Sequence, residues 1–286
     1  MPDVLITTNG FKGTWPAIGY GTWLAMTLKT KILLLGVNEK PSSSRSEDLH
    51  PVEKILTQAV EFFRQKGVDY DAEVHDGNAE EVIPQRANAG DFITVVGPLG
   101  RPQIRRWLVG RSSRHFMATI MGPILYVPKS RLPLSKMLIC VGGLGYEVAA
   151  ENLAFQIAMK SNAEVTLLHV VSPINLDYPA SRAVRENWNH LVDTNTLPGR
   201  SLRKGLEIAQ SIGVKASITA RQGKVEEEII KELQRGNYDL ICMGSPYSAN
   251  IMRQLYTPNI TADIAESVDY PMLTARHKPW RDSEDP

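Results

Sequence analysis

The residues best suited to chemistry lie between Gly97 and Ser113. Gly97-Pro98-Leu99-Gly100 is followed by a nine-residue basic segment containing Arg101, Arg105 and Arg106, and then by Gly110-Arg111-Ser112-Ser113. Glycine admits close backbone approach to a ligand, arginine offers a forked set of donors, and serine both caps a helix and hydrogen-bonds to oxygen. The chemistry these types share is recognition of an anion, above all a phosphate. The apolar run Phe92–Val96 before the loop reads as a buried strand. Phe116, Met117 and Ile120 after it keep helical spacing, and Ile124–Val127 reads as the next strand. The loop therefore joins a strand's C-terminal end to a helix's N-terminus, where free N–H groups and the helix dipole both favour negative charge.

Other chemistries find less support. The six histidines (50, 75, 115, 169, 190 and 277) show no metal-binding spacing, and His169 reads as a half-buried polar residue at a strand end. Ser112 and Ser113 stand close to His115, but three residues along one helix do not build a nucleophile, base and orienter, and helix capping explains the serines. Gly143-Leu144-Gly145 follows a strand as a dinucleotide loop does. Val148 stands where the third glycine belongs, however, and the next strand ends in His169-Val170-Val171-Ser172 with no acid for a ribose. A tight turn is the reading. Cys140 and Cys242 lie in apolar runs on strands expected to be neighbours, and they read as buried free thiols. No catalytic set emerges, and the expected protein is not an enzyme.

The chain has 286 residues, a formal net charge of +1, 43% hydrophobic residues and 22% charged residues. Those proportions fit a globular protein, and the charge gives no field for nucleic acid. No run approaches the ~18 apolar residues of a membrane span, and the N-terminus lacks a signal-peptide pattern, so the cytoplasm is the expected compartment.

The elements that must position the loop follow a β-α order. Val4–Thr8 reads as a strand, residues 14–28 as a helix with a core stripe at Trp15, Ile18 and Trp23, and Lys31–Leu35 as a strand. A helix over Val52–Lys66, a strand over Val68–Val74 and a helix over Gly77–Ala87 lead to the strand before the loop. After the linker 128–136 the order repeats: strands at Met137–Val141, Val165–Val171, Val214–Ala220, Tyr238–Met243 and Met272–Ala275, with helices at Glu147–Met159, from Leu202, at Val225–Gln234 and at Thr257–Ser267. The segment 172–200 reads as a lid or a partner-docking surface.

The halves also match locally. Gly77-Asn78-Ala79-Glu80-Glu81-Val82-Ile83 answers Gly223-Lys224-Val225-Glu226-Glu227-Glu228-Ile229, and Gly122-Pro123-Ile124-Leu125 answers Tyr270-Pro271-Met272-Leu273. An internal duplication of one five-stranded α/β domain follows. The predicted domains are 1–129 and 136–277, with a flexible tail at 278–286.

Gly97, Gly100 and Gly110 fall on a G-x2-G-x9-G spacing, the helix start at Gly77 recurs at Gly223, and each half closes on a Pro-apolar strand. In these features the chain resembles a tandem universal stress protein. The resemblance implies two doubly wound parallel-sheet domains of the adenine nucleotide alpha hydrolase-like type. Each has strand order 3-2-1-4-5, and the closing strands, Ile124–Val127 and Met272–Ala275, face each other in an internal pseudo-dimer. It also implies a phosphate site at Gly97, Gly100, Arg101, Gly110, Arg111, Ser112 and Ser113, and adenine near Val37. The end of the first strand, Thr8-Asn9, would touch the nucleotide as well. This chain departs from the pattern at Asn9, where the family carries an acid, and at Arg111, where it carries a hydroxyl. In the second half Tyr247 and Thr257-Pro258 replace loop positions, and Gly142 stands at the acid position, so that half reads as degenerate. The implied function is non-catalytic stress sensing with ATP or AMP, with or without magnesium, acting on an unknown protein partner. The alternative is a ligand-free interaction scaffold. Further homodimerisation stays open.

Overall fold

A computed structural model describes residues 1–39, 52–100, 112–143, 145, 147–173, 179–245 and 260–276. The expectations for Arg101, Gly110, Arg111, Tyr247, Thr257-Pro258 and the tail at 278–286 lie outside the described residues. The first half runs β1 (Asp3–Thr8), α1 (Trp15–Leu28), β2 (Ile32–Asn38), α2 (Val52–Lys66), β3 (Tyr70–Asp76), α3 (Ala79–Asn88), β4 (Phe92–Val96), α4 (Ser112–Thr119) and β5 (Ile124–Tyr126). The second runs β6 (Lys136–Cys140), α5 (Val148–Ser161), β7 (Glu164–Val171), α6 (Pro179–Glu186), α7 (Leu197–Ser211), β8 (Ala216–Gln222), α8 (Val225–Gly236), β9 (Leu240–Ser245), α9 (Ile260–Ser267) and β10 (Met272–Arg276).

All ten strands form one sheet in the order β3-β2-β1-β4-β5-β10-β9-β6-β7-β8. Each half keeps the expected 3-2-1-4-5 order. Pairing is parallel within each half, as β-α-β crossovers require. At the centre β5 and β10 run antiparallel, with Leu125 opposite Leu273. This antiparallel pair carries the pseudo-twofold, as the family resemblance implies.

Two apolar layers cover the sheet. One joins α1 and α2 to α5 and α7; the other joins α3 and α4 to α8 and α9. Helix α1 packs on β1 and β4 and also meets α5 across the pseudo-twofold. Two-sided burial explains its apolar content: Ala17, Ile18, Tyr20, Leu24 and Ala25 are all fully buried. The expected Trp15–Ile18–Trp23 core stripe is corrected. Ile18 is in the core, but Trp15 is 38% exposed and Trp23 is half-buried, edge-on to Tyr20 at 5.2 Å. At ~100° per residue, Trp23 points ~140° away from Ile18 and cannot share its face.

Other differences have local causes. Helix α7 starts at Leu197, five residues before Leu202, because Thr196 caps it by accepting from Gly199 N (3.3 Å) and Pro198 suits a first turn. Within the segment 172–200, residues 188–196 pack down onto α7. Leu191 is buried, and Arg203 donates to the carbonyls of Thr194 (2.7 Å) and Val192. Cys140 and Cys242 sit on paired strands, but Ile139 faces Cys242 and Cys140 faces Met243. Successive side chains alternate faces, so the two sulfurs project into opposite layers, and both thiols are free.

Candidate functional site

Strand β1 feeds α1 on one face of the sheet and β4 feeds α4 on the other, so a crevice opens at their C-terminal ends. In doubly wound sheets that switch point is the usual ligand site. A cleft of about 340 Å³ lies there, lined by Phe11, Gly97-Pro98-Leu99-Gly100, Ser112, Ser113, Tyr126, Pro128 and Asp269. Ligand pockets start near this size. Asp269 precedes β10, so both halves contribute to the lining.

The two glycines are fixed by packing. A β-carbon on Gly97 would stand 3.1 Å from Thr14 Cα, so the loop lies directly against the start of α1. Gly100 has φ +66°, and a β-carbon there would come within 2.5 Å of the Phe11 ring. Phe11 thus folds over the turn and forms one wall of the cleft.

At the start of α4 the two serines differ. Ser112 Oγ donates to Glu80 Oε1 on α3 (2.6 Å), and His115 Nε2 donates to the Glu80 carbonyl (2.8 Å). Ser113 is 3% exposed, and its Oγ has no hydrogen-bond partner among the described residues. A buried hydroxyl without a partner costs free energy, roughly 1–3 kcal/mol.

The crest over β1 and β2 is closed. Asn9 is 2% exposed; its Nδ2 donates to Glu39 Oε2 (2.8 Å) and to the Leu99 carbonyl (3.0 Å), and its Oδ1 accepts from Phe11 N (3.3 Å). Glu39 Oε1 accepts from Ala79 N at the start of α3 (3.0 Å). Thr8 Oγ1 bonds Thr14 Oγ1 at 2.7 Å, and Val37 is fully buried in the β2–β3 ladder. The expected site residues therefore divide: Gly97, Gly100, Ser112 and Ser113 line the open cleft, while Thr8, Asn9 and Val37 lie beneath the crest. Phe11, Glu39, Glu80 and Asp269 were not expected. Glu39 is legible in principle as an acid two residues beyond Val37. Asp269 carries no local signal, because the pseudo-twofold alone brings it there.

The matching edge of the second half is covered by its own chain. Gly143 has φ +80°, and a β-carbon on it would stand 2.9 Å from Pro198 Cα at the start of α7. Gly143 N donates to the buried Glu147 carboxylate (2.9 Å), and His169 donates from Nδ1 to the Val141 carbonyl (2.7 Å). Burial holds the His169 pKa below its ordinary value. Gly143→Ala is expected to lower stability by about 1–3 kcal/mol, since an L side chain is strained at that φ and collides with backbone. Urea unfolding measures it, and an unchanged midpoint would show that Pro198 yields freely.

Helix α4 is coupled to the second half. Arg114 donates to Asp263 (2.6 Å) and Glu266 (3.0 Å) on α9, and Arg276 donates to the Met117 carbonyl (2.7 Å). Among the described residues no helix is long and apolar enough to cross a membrane, and no group of three or more His, Cys, Asp or Glu could hold a metal.

These features define a tandem doubly wound α/β protein with a glycine-rich strand-to-helix turn at its switch point. The universal stress protein family model matches residues 133–276, half of the chain, and the chain belongs to that family. The matched half is the one whose loop departs further from the glycine pattern. Solved structures match both halves. A universal stress protein from Archaeoglobus fulgidus DSM 4304 aligns with TM-score 0.72 and 13% identity over 97% of each chain. A functionally unknown protein from Pseudomonas aeruginosa PAO1 gives 0.65 and 11%, covering 96% of this chain and 92% of that one. A putative universal stress protein from Pseudomonas aeruginosa UCBPP-PA14 gives 0.64 and 11%, covering 96% and 93%. At these identities the likeness establishes the fold alone. No curated protein sequence matches the chain.

Proposed function

We propose that the chain is a non-catalytic cytoplasmic stress sensor that binds ATP or AMP in its first half. The observation that carries this reading is the buried Ser113 hydroxyl, without a hydrogen-bond partner among the described residues, beside the Gly97–Gly100 turn in a cleft at the sheet's switch point. Phosphates lie against Gly97, Gly100, Ser113 and the first turn of α4, and the glycine spacing assigns Arg101, Gly110, Arg111 and Ser112 to the same site. Adenine reaches the Val37 edge by displacing Glu39 from Asn9, whose amide can both donate to and accept from a base. Asp269 suits a magnesium ion arriving with a triphosphate, since magnesium takes one or two carboxylates and fills its other positions with phosphate and water. Nucleotide seated at the start of α4 shifts that helix, and the Arg114 contacts pass the movement to α9, which changes the surface offered to a protein partner.

Isothermal titration of ATP and AMP, with and without magnesium, on nucleotide-stripped protein tests this. One site per chain is expected. Ser113→Asp, which puts a carboxylate beside the phosphates, should weaken binding at least tenfold, about 1.4 kcal/mol, with thermal unfolding checking that the variant folds. Unchanged affinity in a folded variant would overturn the site. The Asn9–Glu39–Ala79 lock favours a second reading, a ligand-free interaction scaffold. The absence of both binding heat and thermal shift would select it.

A further inference from the structure

A groove of about 430 Å³ opens between the start of α1 and the first turns of α2, lined by Lys12, Trp15, Lys54, Ile55 and Gln58. It shares no lining residue with the cleft at Gly97–Ser113. Ile55, 5% exposed, forms an apolar floor. Trp15 is the first residue of α1 and precedes Pro16, so its indole stands at the helix end, 38% exposed. The indole rests on Phe62 at 6.1 Å between ring centroids, and Lys66 Nζ lies 5.6 Å from the centre of the Phe62 ring. Lys12 and Lys54 are both exposed, and neither has an acidic partner among the described residues. Gln58 lies one helical turn beyond Lys54 and adds a carboxamide.

Each half of this lining selects one property of a ligand. The indole face and the Ile55 floor take a flat apolar ring, which stacks offset or edge-on against Trp15. Two ammonium groups without an acidic partner among the described residues take an anion at the same groove, since each is a strong donor to phosphate or carboxylate. A neutral aromatic leaves the two ammonium groups unused, and a bare anion leaves the indole wet. We propose that this groove is a ligand site for a small planar aromatic molecule carrying a phosphate or a carboxylate. The site stands independently of nucleotide binding in the glycine-rich cleft.

The full chain is titrated calorimetrically with 1-naphthyl phosphate, 1-naphthoate, 1-naphthol and inorganic phosphate. The two aromatic anions are expected to bind saturably, at least tenfold more tightly than naphthol or phosphate alone, and their ratio ranks phosphate against carboxylate. Lys12→Gln/Lys54→Gln, at exposed positions and with an unchanged melting temperature, should weaken both at least tenfold. Trp15→Phe should retain binding, and Trp15→Ala should lose it. Ser113→Asp should leave it unaltered. Naphthyl phosphate binding that persists in the lysine pair variant, that is no tighter than the binding of its parts, or that vanishes only in Ser113→Asp would overturn the proposal.

Discussion

Arg221→Met is expected to lower the unfolding free energy by about 2–3 kcal/mol, with a matching fall in thermal midpoint. Arg221 on β8 donates through Nη2 (2.5 Å) and Nε (3.0 Å) to one oxygen of Glu232 on α8, and Tyr238 Oη donates to the other (2.9 Å). Glu232 is 6% exposed, whereas the Arg221 side chain is 33% exposed. Forming such a pair contributes little net stability, because both charges lose hydration. Removing the arginine alone strands a buried carboxylate, which in full burial costs about 3–5 kcal/mol; the partial exposure of Arg221 lowers that figure. The decisive comparison is the double variant Arg221→Met/Glu232→Leu, which should recover to within about 1 kcal/mol of the parent in urea unfolding. If the double variant is as unstable as the single, the loss arises from packing at β8, and the stranded carboxylate is not its cause.

The fold was legible because the signals repeat. Val52–Lys66 is bounded as its apolar spacing dictates, Phe92–Val96 likewise, and the duplication supplies each weak element with a second copy. The antiparallel β5–β10 seam came from the family resemblance, since nothing in the two closing strands themselves dictates that they pair. What sequence could not show is what the halves do to each other. Trp15 belongs to a groove and not to the core, because α1 turns its apolar residues both to the sheet and to α5. The Gly97–Gly100 turn was legible as glycine spacing, and contacts with Thr14 and Phe11 leave no room for a side chain at either position. The closed crest over β1 and β2 was not, because the Asn9–Glu39–Ala79 lock joins three separate segments. In the second half Gly143-Leu144-Gly145 read as a tight turn, and the positive φ of Gly143 and Gly145 agrees. Its cover by Pro198 depends on where α7 begins, which Pro198-Gly199 disguised as a helix-breaking pair.

Near that same edge, Glu151→Gln is expected to stabilise the protein at pH 8 by about 1–3 kcal/mol and to change little at pH 4.5. Glu151 on α5 is 6% exposed, and its Oε1 has no hydrogen-bond partner among the described residues. Burial first, and the neighbouring Glu147 charge second, push its pKa up to about 7, against a smaller opposing pull from Lys204. The unfolded chain releases this proton near the ordinary value of 4.5, and the folded chain holds it until about 7. As pH rises through that window the folded state binds more protons than the unfolded state, so stability falls with pH and stays lower above it. Glutamine keeps the shape, cannot ionise, and removes the slope. His169 on β7 acts in the opposite direction. Burial lowers its pKa, so its neutral form favours the fold as pH rises through the ordinary histidine range. The parent's stability profile therefore combines two slopes of opposite sign, and subtracting the Glu151→Gln profile leaves the Glu151 contribution alone. Urea unfolding at half-unit steps from pH 4.5 to 8 measures it. Parallel profiles for parent and variant would mean that Glu151 titrates in the folded protein as it does in the unfolded chain.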